Sequence, residues 1–242
     1  MTRSGPSRPS APGDAELVVS EVFGPTFQGE GPSIGRRAGF VRLGRCNLAC
    51  QWCDTKYTWD WSQYDPAVEL TNRFVNDVVE ELVAMDVPMV VITGGEPLLQ
   101  QRALVPLLQA CRDRGWRLEV ETAGTIAPTD DAVALIDQWN VSPKLANSGN
   151  PLERRYRPDV LRRFEATGNA VFKFVAADPA ELDEVEAMVE ECGLTRVVVM
   201  PEGVSAETLM ARIQVLAPAV LDRGWELTTR LHVLIWGERR GV

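Results

Sequence analysis

From about residue 16 the chain alternates short β-branched and apolar runs with longer stretches in which apolar positions recur every three or four residues, the pattern of successive βα units. The short runs predict strands at 17–23, 40–43, 89–93, 117–122, 139–142, 170–176, 196–200 and 226–236. Between them, 74–85 spaces Phe74, Val75, Val78, Val79 and Leu82 along one helical face, and 101–114 does the same with Leu104, Leu107, Leu108 and Cys111. Asp178-Pro179-Ala180-Glu181 offers a capping residue, a proline at the first helical position and an acid behind it, so a helix begins there and turns Leu182, Val185, Met188 and Val189 inward. A further helix is expected over 205–223, with Pro218 the place for a bend. On the last strand, alternation sends Thr228, Arg230, His232 and Leu234 to one face and Leu227, Thr229, Leu231 and Val233 to the other.

About six βα units behind a leading strand or hairpin make an α/β fold built as a partial (β/α)6-type barrel, one domain over 16–242. Near-continuous apolar strands suit a parallel sheet covered on both faces, whose chemistry gathers where strands end and βα loops begin. Residues 1–15, rich in Ser, Pro, Gly and Ala, read as a disordered tail and lack the apolar stretch of a signal peptide.

Composition narrows the partners. The 242 residues carry 25 Lys and Arg against 34 Asp and Glu, a net charge of −9 that disfavours unspecific binding to nucleic acid or anionic lipid. No apolar run approaches the ~18–20 residues that span a bilayer, and the stretch 87–92 is interrupted by Pro88. A chain this long buries roughly 70–75% of its unfolded surface and needs no disulfide staples. Its five cysteines, three of them crowded into 46–53, point to a reducing cytoplasm.

Those three, Cys46, Cys50 and Cys53, follow a predicted strand as C-x3-C-x2-C with no fourth Cys or His nearby. A structural zinc normally closes its tetrahedron with four protein ligands, and Cys111, Cys192 and His232 are remote in sequence. Inert packing is a poor account of three thiols in one loop, and a disulfide leaves one thiol over. A tight loop of this kind wraps three corners of a cuboidal iron–sulfur cluster and leaves one iron open to a small molecule. Further on, the strand Val90–Thr93 runs into Gly94-Gly95-Glu96-Pro97. Its glycines admit a ligand to the backbone, and its carbonyls and the Glu96 carboxylate are acceptors for an ammonium group. Cys111 sits on a helix's apolar stripe and Cys192 near the end of another helix, and both read as structural.

Together the cysteine loop and Gly-Gly-Glu-Pro resemble the signature of the radical S-adenosylmethionine superfamily. Further segments resemble the 7-carboxy-7-deazaguanine synthase family within it, over most of the chain from Glu21 to Val242. Phe27, Gln28 and Gly29, in Gly24-Pro25-Thr26-Phe27-Gln28-Gly29-Glu30-Gly31, match that family's substrate loop, which otherwise reads as a glycine turn. Arg42, in an apolar strand, needs an anion: either a structural carboxylate or, as the resemblance implies, the substrate carboxylate. Asp54-Thr55 reads locally as a helix cap, whereas the resemblance implies that the Thr55 hydroxyl lies on Mg²⁺. It also implies that Trp52, Cys53 and Asp54 border S-adenosylmethionine together with Gly95 and Glu96, and that Thr93 meets the substrate. Ser142, Pro143 and Lys144 match a cofactor-contacting Ser-Pro-Lys. Met200, Pro201, Glu202 and Gly203 occupy another such position, although the family often has Gln where Met200 stands.

The resemblance implies conversion of 6-carboxy-5,6,7,8-tetrahydropterin to 7-carboxy-7-deazaguanine with loss of ammonia, a carbon–nitrogen lyase reaction of queuosine and 7-deazapurine biosynthesis. A [4Fe-4S] cluster, S-adenosylmethionine and Mg²⁺ are the implied cofactors, in a homodimer served by a low-potential electron donor such as flavodoxin. Two rivals share the cysteine loop: an activase that makes a glycyl radical on a partner protein, and a non-catalytic iron–sulfur carrier with four protein ligands. His232 and Glu121 are positioned to face the pocket without an assigned role.

Overall fold

A computed structural model describes residues 15–242, so the expected tail over 1–15 lies, apart from Ala15, outside the described residues. Among these, nine strands form one sheet: β1 Glu16–Phe27, β2 Arg37–Leu43, β3 Thr71–Phe74, β4 Met89–Gly94, β5 Arg117–Thr122, β6 Gln138–Val141, β7 Ala170–Ala176, β8 Val197–Pro201 and β9 Glu226–Leu227. The helices are α1 Pro66–Glu69, α2 Val75–Ala84, α3 Gln101–Arg112, α4 Asp130–Val133, α5 Leu152–Arg155, α6 Pro158–Glu165, α7 Leu182–Cys192, α8 Ala206–Asp222 and α9 Leu231–Trp236. The strand order is β3-β1-β2-β4-β5-β6-β7-β8-β9. β1 and β2 form the leading antiparallel hairpin, β3 adds antiparallel to β1, and every pair from β2–β4 to β8–β9 is parallel. β3 and β9 are the two edges, which leaves the barrel partial.

Strand parity organises the packing. Val41 and Leu43, Val90 and Ile92, Leu118 and Val120, Trp139 and Val141, Phe172 and Phe174, and Val197 and Val199 all join the core under the helices. The expected helical stripes meet them there: Val75, Val78, Val79 and Leu82 of α2, Leu104, Leu107, Leu108 and Cys111 of α3, and Leu182, Val185 and Met188 of α7, where Cys192 is buried as well and the expected Val189 is only half-buried against the core. The alternate residues turn to the other face of the sheet. Low on that face Phe23, Ala38, Phe40, Met89 and Val91 make a small apolar plug.

Two readings are corrected. The run 226–236 is not one strand: β9 pairs only at Glu226 and Leu227, the amide of Thr228 makes a last bond to the carbonyl of Val199, and the chain then turns into α9. Its apolar residues Leu231, Leu234 and Ile235 stand at helical spacing, and the helix is held from outside by the Leu231 amide on the Gly29 carbonyl (2.8 Å). β-branched composition alone missed that anchor. The segment 71–74 begins no helix but forms β3, with Phe74 exposed and the α2 stripe starting one residue later at Val75. At 178–181 the Asp178 carboxylate accepts from the Ala180 amide (2.8 Å) and caps a short 3₁₀ turn that leads into α7.

Candidate active site

One cavity, open to solvent at its mouth, lies at the carboxyl ends of the parallel strands. The cysteine loop between β2 and the 3₁₀ turn Lys56–Thr58 brings Cys46, Cys50 and Cys53 to its wall, packed around Leu48 and Ala123. All three are free thiols, and each meets an N–H donor: the Leu48 amide on Cys46 Sγ (3.5 Å), Asn150 Nδ2 on Cys50 Sγ (3.2 Å) and the Trp59 indole on Cys53 Sγ (3.3 Å). Burial pushes the Cys46 thiol up to about 12 and raises Cys50, the latter against the pull of Lys144. Such sulfurs are poor nucleophiles as thiols but well solvated by N–H dipoles as metal-bound thiolates. Among the described residues no group of three His, Cys, Asp or Glu side chains is gathered around a single ion position.

Gly94 and Gly95 line the next stretch of wall, and both must lack a side chain. A Cβ on Gly94, whose φ is 140°, would run into the backbone of Leu43, and one on Gly95 into the carbonyl of Arg45. The end of β4 is therefore pressed onto the end of β2, fixing the cysteine loop beside it. Glu96 differs from the expectation of an open acceptor. It is fully buried, is not on the cavity wall, and accepts from Leu98 N (3.0 Å), Thr122 Oγ1 (2.8 Å) and Ala123 N (2.8 Å). Burial raises its carboxyl while these donors oppose the shift.

Beside the cysteines, Trp52, Ser142 and Lys144 line the wall, with Lys144 Nζ donating to Ser142 Oγ (2.8 Å) and lying 5.4 Å from the Trp52 ring. Met200, Glu202 and Gly203 come in from the end of β8, while Pro143 and Pro201 are buried without lining the cavity. Asp54, Thr55 and Thr93 face the same space. The Thr55 hydroxyl makes no capping bond to the 3₁₀ turn that it precedes and lies 3.5 Å from Cys53 Sγ, so the helix-cap reading fails.

Arg42 has the structural carboxylate partner and also lies on the cavity wall. Its Nε donates to Glu21 on β1 (2.7 Å), its guanidinium lies over Phe23 at 5.2 Å, and it lines the cavity. From the opposite rim come Phe27, Gln28 and Gly29; Gln28 is buried and donates to Glu121 Oε1 (3.2 Å). Sequence reasoning missed the centre of this half. Lys173, from the middle of β7, contacts Glu30 (2.5 Å) and Glu121 (2.8 Å), while Arg230 donates to the other Glu30 oxygen (3.1 Å) and pairs with Asp54. Burial alone would raise Glu30, but Lys173 and Arg230 outweigh it and hold that carboxyl far below the usual range. Glu121 goes the other way, raised by burial and by Glu30 against Lys173. His232 completes the rim, its basicity lowered by burial. The signal was present in the sequence: Lys173 is a lone charge in an apolar strand, as Arg42 is.

A family model for the radical SAM superfamily matches residues 41–143. The chain is 38% identical to the 7-carboxy-7-deazaguanine synthase of Pyrobaculum aerophilum, over 92% of this chain and 96% of that one. The chain belongs to the 7-carboxy-7-deazaguanine synthase family. Another family member, from Rhodopirellula baltica, is 34% identical over 96% of this chain and 93% of its own. The crystal structure of QueE from Escherichia coli superposes with a TM-score of 0.68 at 25% identity, covering 91% of this chain and 96% of that one. Membership makes the protein a radical S-adenosylmethionine enzyme of the lyase class, which uses an iron–sulfur cluster and S-adenosylmethionine. No helix among the described residues is long and apolar enough to cross a membrane.

Proposed function

We propose that the enzyme converts 6-carboxy-5,6,7,8-tetrahydropterin to 7-carboxy-7-deazaguanine with loss of ammonia, supplying a 7-deazapurine for queuosine or a related product. The carrying observation is that one cavity joins three N–H-bonded thiols to a polar rim with a half-free arginine and two lysine-bridged carboxylates. That combination suits a cluster on one side and an anionic, donor-rich heterocycle on the other.

Cys46, Cys50 and Cys53 hold a [4Fe-4S] cluster in this reading, with the Leu48, Asn150 and Trp59 donors tuning it. When bound, cluster and S-adenosylmethionine supply the radical that begins the rearrangement. Trp52, Asp54, Gly95 and the Ser142-Pro143-Lys144 and Met200-Pro201-Glu202-Gly203 segments border S-adenosylmethionine. Glu96 supports that site from beneath, by fixing the turn whose carbonyls receive the amine. Arg42 gives its remaining guanidinium N–H groups to the substrate carboxylate, and Glu21 sets their direction. Phe27, Gln28, Gly29 and Thr93 complete the substrate wall. Thr55 has a hydroxyl free of capping duty on the cavity surface, which fits a single protein oxygen on Mg²⁺.

The proposal extends to a cytoplasmic homodimer, with residues 16–242 as the catalytic unit and a low-potential donor such as flavodoxin. Anaerobic reconstitution with iron and sulfide, then mass spectrometry of products from the carboxypterin, S-adenosylmethionine and a reductant, tests it directly. Appearance of 7-carboxy-7-deazaguanine is the expected result. Cleavage of S-adenosylmethionine that ignores the carboxypterin and responds only to a partner protein would favour the activase reading instead.

A further inference from the structure

Lys173 is an unusual residue for its position. The strand Ala170–Ala176 is buried from end to end, and its even-numbered residues Phe172, Phe174 and Ala176 fill the core under the helices. Lys173 points the other way, to the cavity, with only 3% of its side chain exposed. An ammonium buried to that degree costs several kcal/mol unless it is paired. Two partners meet it: Glu30 Oε2 at 2.5 Å, from the loop after β1, and Glu121 Oε2 at 2.8 Å, from the end of β5.

We propose that Lys173 is a positioning residue that holds the Glu30 and Glu121 carboxylates in place as a pair of acceptors for the N–H edge of the substrate's heterocycle. The inference rests on the carboxypterin reading above, and it assigns to Lys173 a role carried out through its two partners.

The charge count around it explains why a cation is needed. Facing this group are Glu30, Glu121 and Asp54 with Lys173, Arg230 and His232, and Glu119 lies one step further down β5. Without Lys173, Glu30 and Asp54 would share the Arg230 guanidinium, with Arg42 acting on Asp54 from further off, and Glu121 would be left with no contacting cation; carboxylates that share a site respond by taking up a proton. A protonated carboxyl donates where a pterin needs an acceptor, because the ring N–H and amino groups of its pyrimidine portion are all donors. The same geometry argues against Lys173 as the acid that protonates departing ammonia. An ammonium clasped by two carboxylates has its pKa raised, so it holds its proton firmly.

The test uses reconstituted enzyme with Lys173→Met, Lys173→Arg and the double variant Lys173→Met/Glu121→Gln. Lys173→Met should keep the cluster absorbance of the wild type, raise KM for the carboxypterin at least tenfold, and change kcat much less. Lys173→Arg should recover most of that loss, since it restores the cation. The double variant removes the stranded charge, so its Tm should return towards the wild-type value while KM stays high; if Lys173→Met fails to fold, this variant carries the measurement. A wild-type KM in the folded variants, or a fall in kcat alone, overturns the proposal. Wild-type enzyme that neither binds nor converts the carboxypterin overturns the substrate reading itself, and the proposal with it.

Discussion

Gly29 and His232 are packed so closely that a Cβ on the glycine would overlap the imidazole. The Gly29 carbonyl also accepts from the Leu231 amide at 2.8 Å, so the loop after β1 and the first turn of α9 form one unit across 200 residues of chain. Gly29→Ala should therefore force α9 off the rim. Overpacking of this kind costs about 1–3 kcal/mol, and each kcal/mol lowers Tm by about 2–4 °C in a chain of this length. Calorimetry of Gly29→Ala and of Gly29→Ala/His232→Ala checks this: the double variant should regain Tm but not turnover. An unaltered Tm in the single variant counts against the contact.

Single Ala substitutions at Cys46, Cys50 and Cys53 should each abolish the cluster chromophore. Cys111 and Cys192 lie in the helix-side core, so Cys111→Ser should load a normal cluster while its buried hydroxyl costs about 1–3 kcal/mol in a urea melt. Because burial holds the Cys46 and Cys50 thiols protonated at neutral pH, and iron binds thiolates, assembly must release protons. Loading should quicken as pH rises from about 7 to about 9. A flat pH dependence of loading would contradict the burial of these thiols.

Arg42→Lys keeps the charge but has no fork with which to serve Glu21 and a substrate carboxylate at once. Loss of one charge-assisted hydrogen bond is worth about 1.5–3 kcal/mol, or roughly 10–100-fold in KM for the carboxypterin. Steady-state kinetics showing a wild-type KM would assign Arg42 to structure alone.

Thr55→Val preserves shape and removes the oxygen. It should leave cluster content and S-adenosylmethionine binding unchanged, lower turnover, and flatten the response to added Mg²⁺. If turnover and the Mg²⁺ titration both match the wild type, the metal belongs elsewhere, with Asp54 the first place to look.

Most of the sheet was legible because each strand carries its own apolar signal, and β5 and β7 run over the expected residues 117–122 and 170–176. The cysteine loop was legible for the same local reason. What escaped depended on contacts between distant segments. β3 exists only because Thr71–Phe74 pairs with Glu16–Val19, and α9 stands where a strand was expected because Gly29 and Glu30 capture Leu231 and Arg230. Glu96 looked like an open acceptor until β5 supplied Thr122 and Ala123 to occupy it. Lys173, like Arg42, is a lone charge in an apolar strand, which in sequence signals that a partner is needed, but which carboxylates answer it, Glu30 and Glu121, is settled by the fold.

The alternation along β2, β4, β5, β6, β7 and β8 also bears on how this scaffold changes over evolutionary time. Within the strands, residues that hold the helices and residues that face the cavity occupy different parities, Gly94 and Thr122 at the strand ends being the exceptions. A substitution such as one at Thr93 or Met200 alters what the pocket accepts without touching Ile92 or Val199, on which folding depends. Selectivity can drift one inward position at a time while the outward layer keeps the fold, and linked charges such as Lys173 with Glu30 and Glu121 must change together.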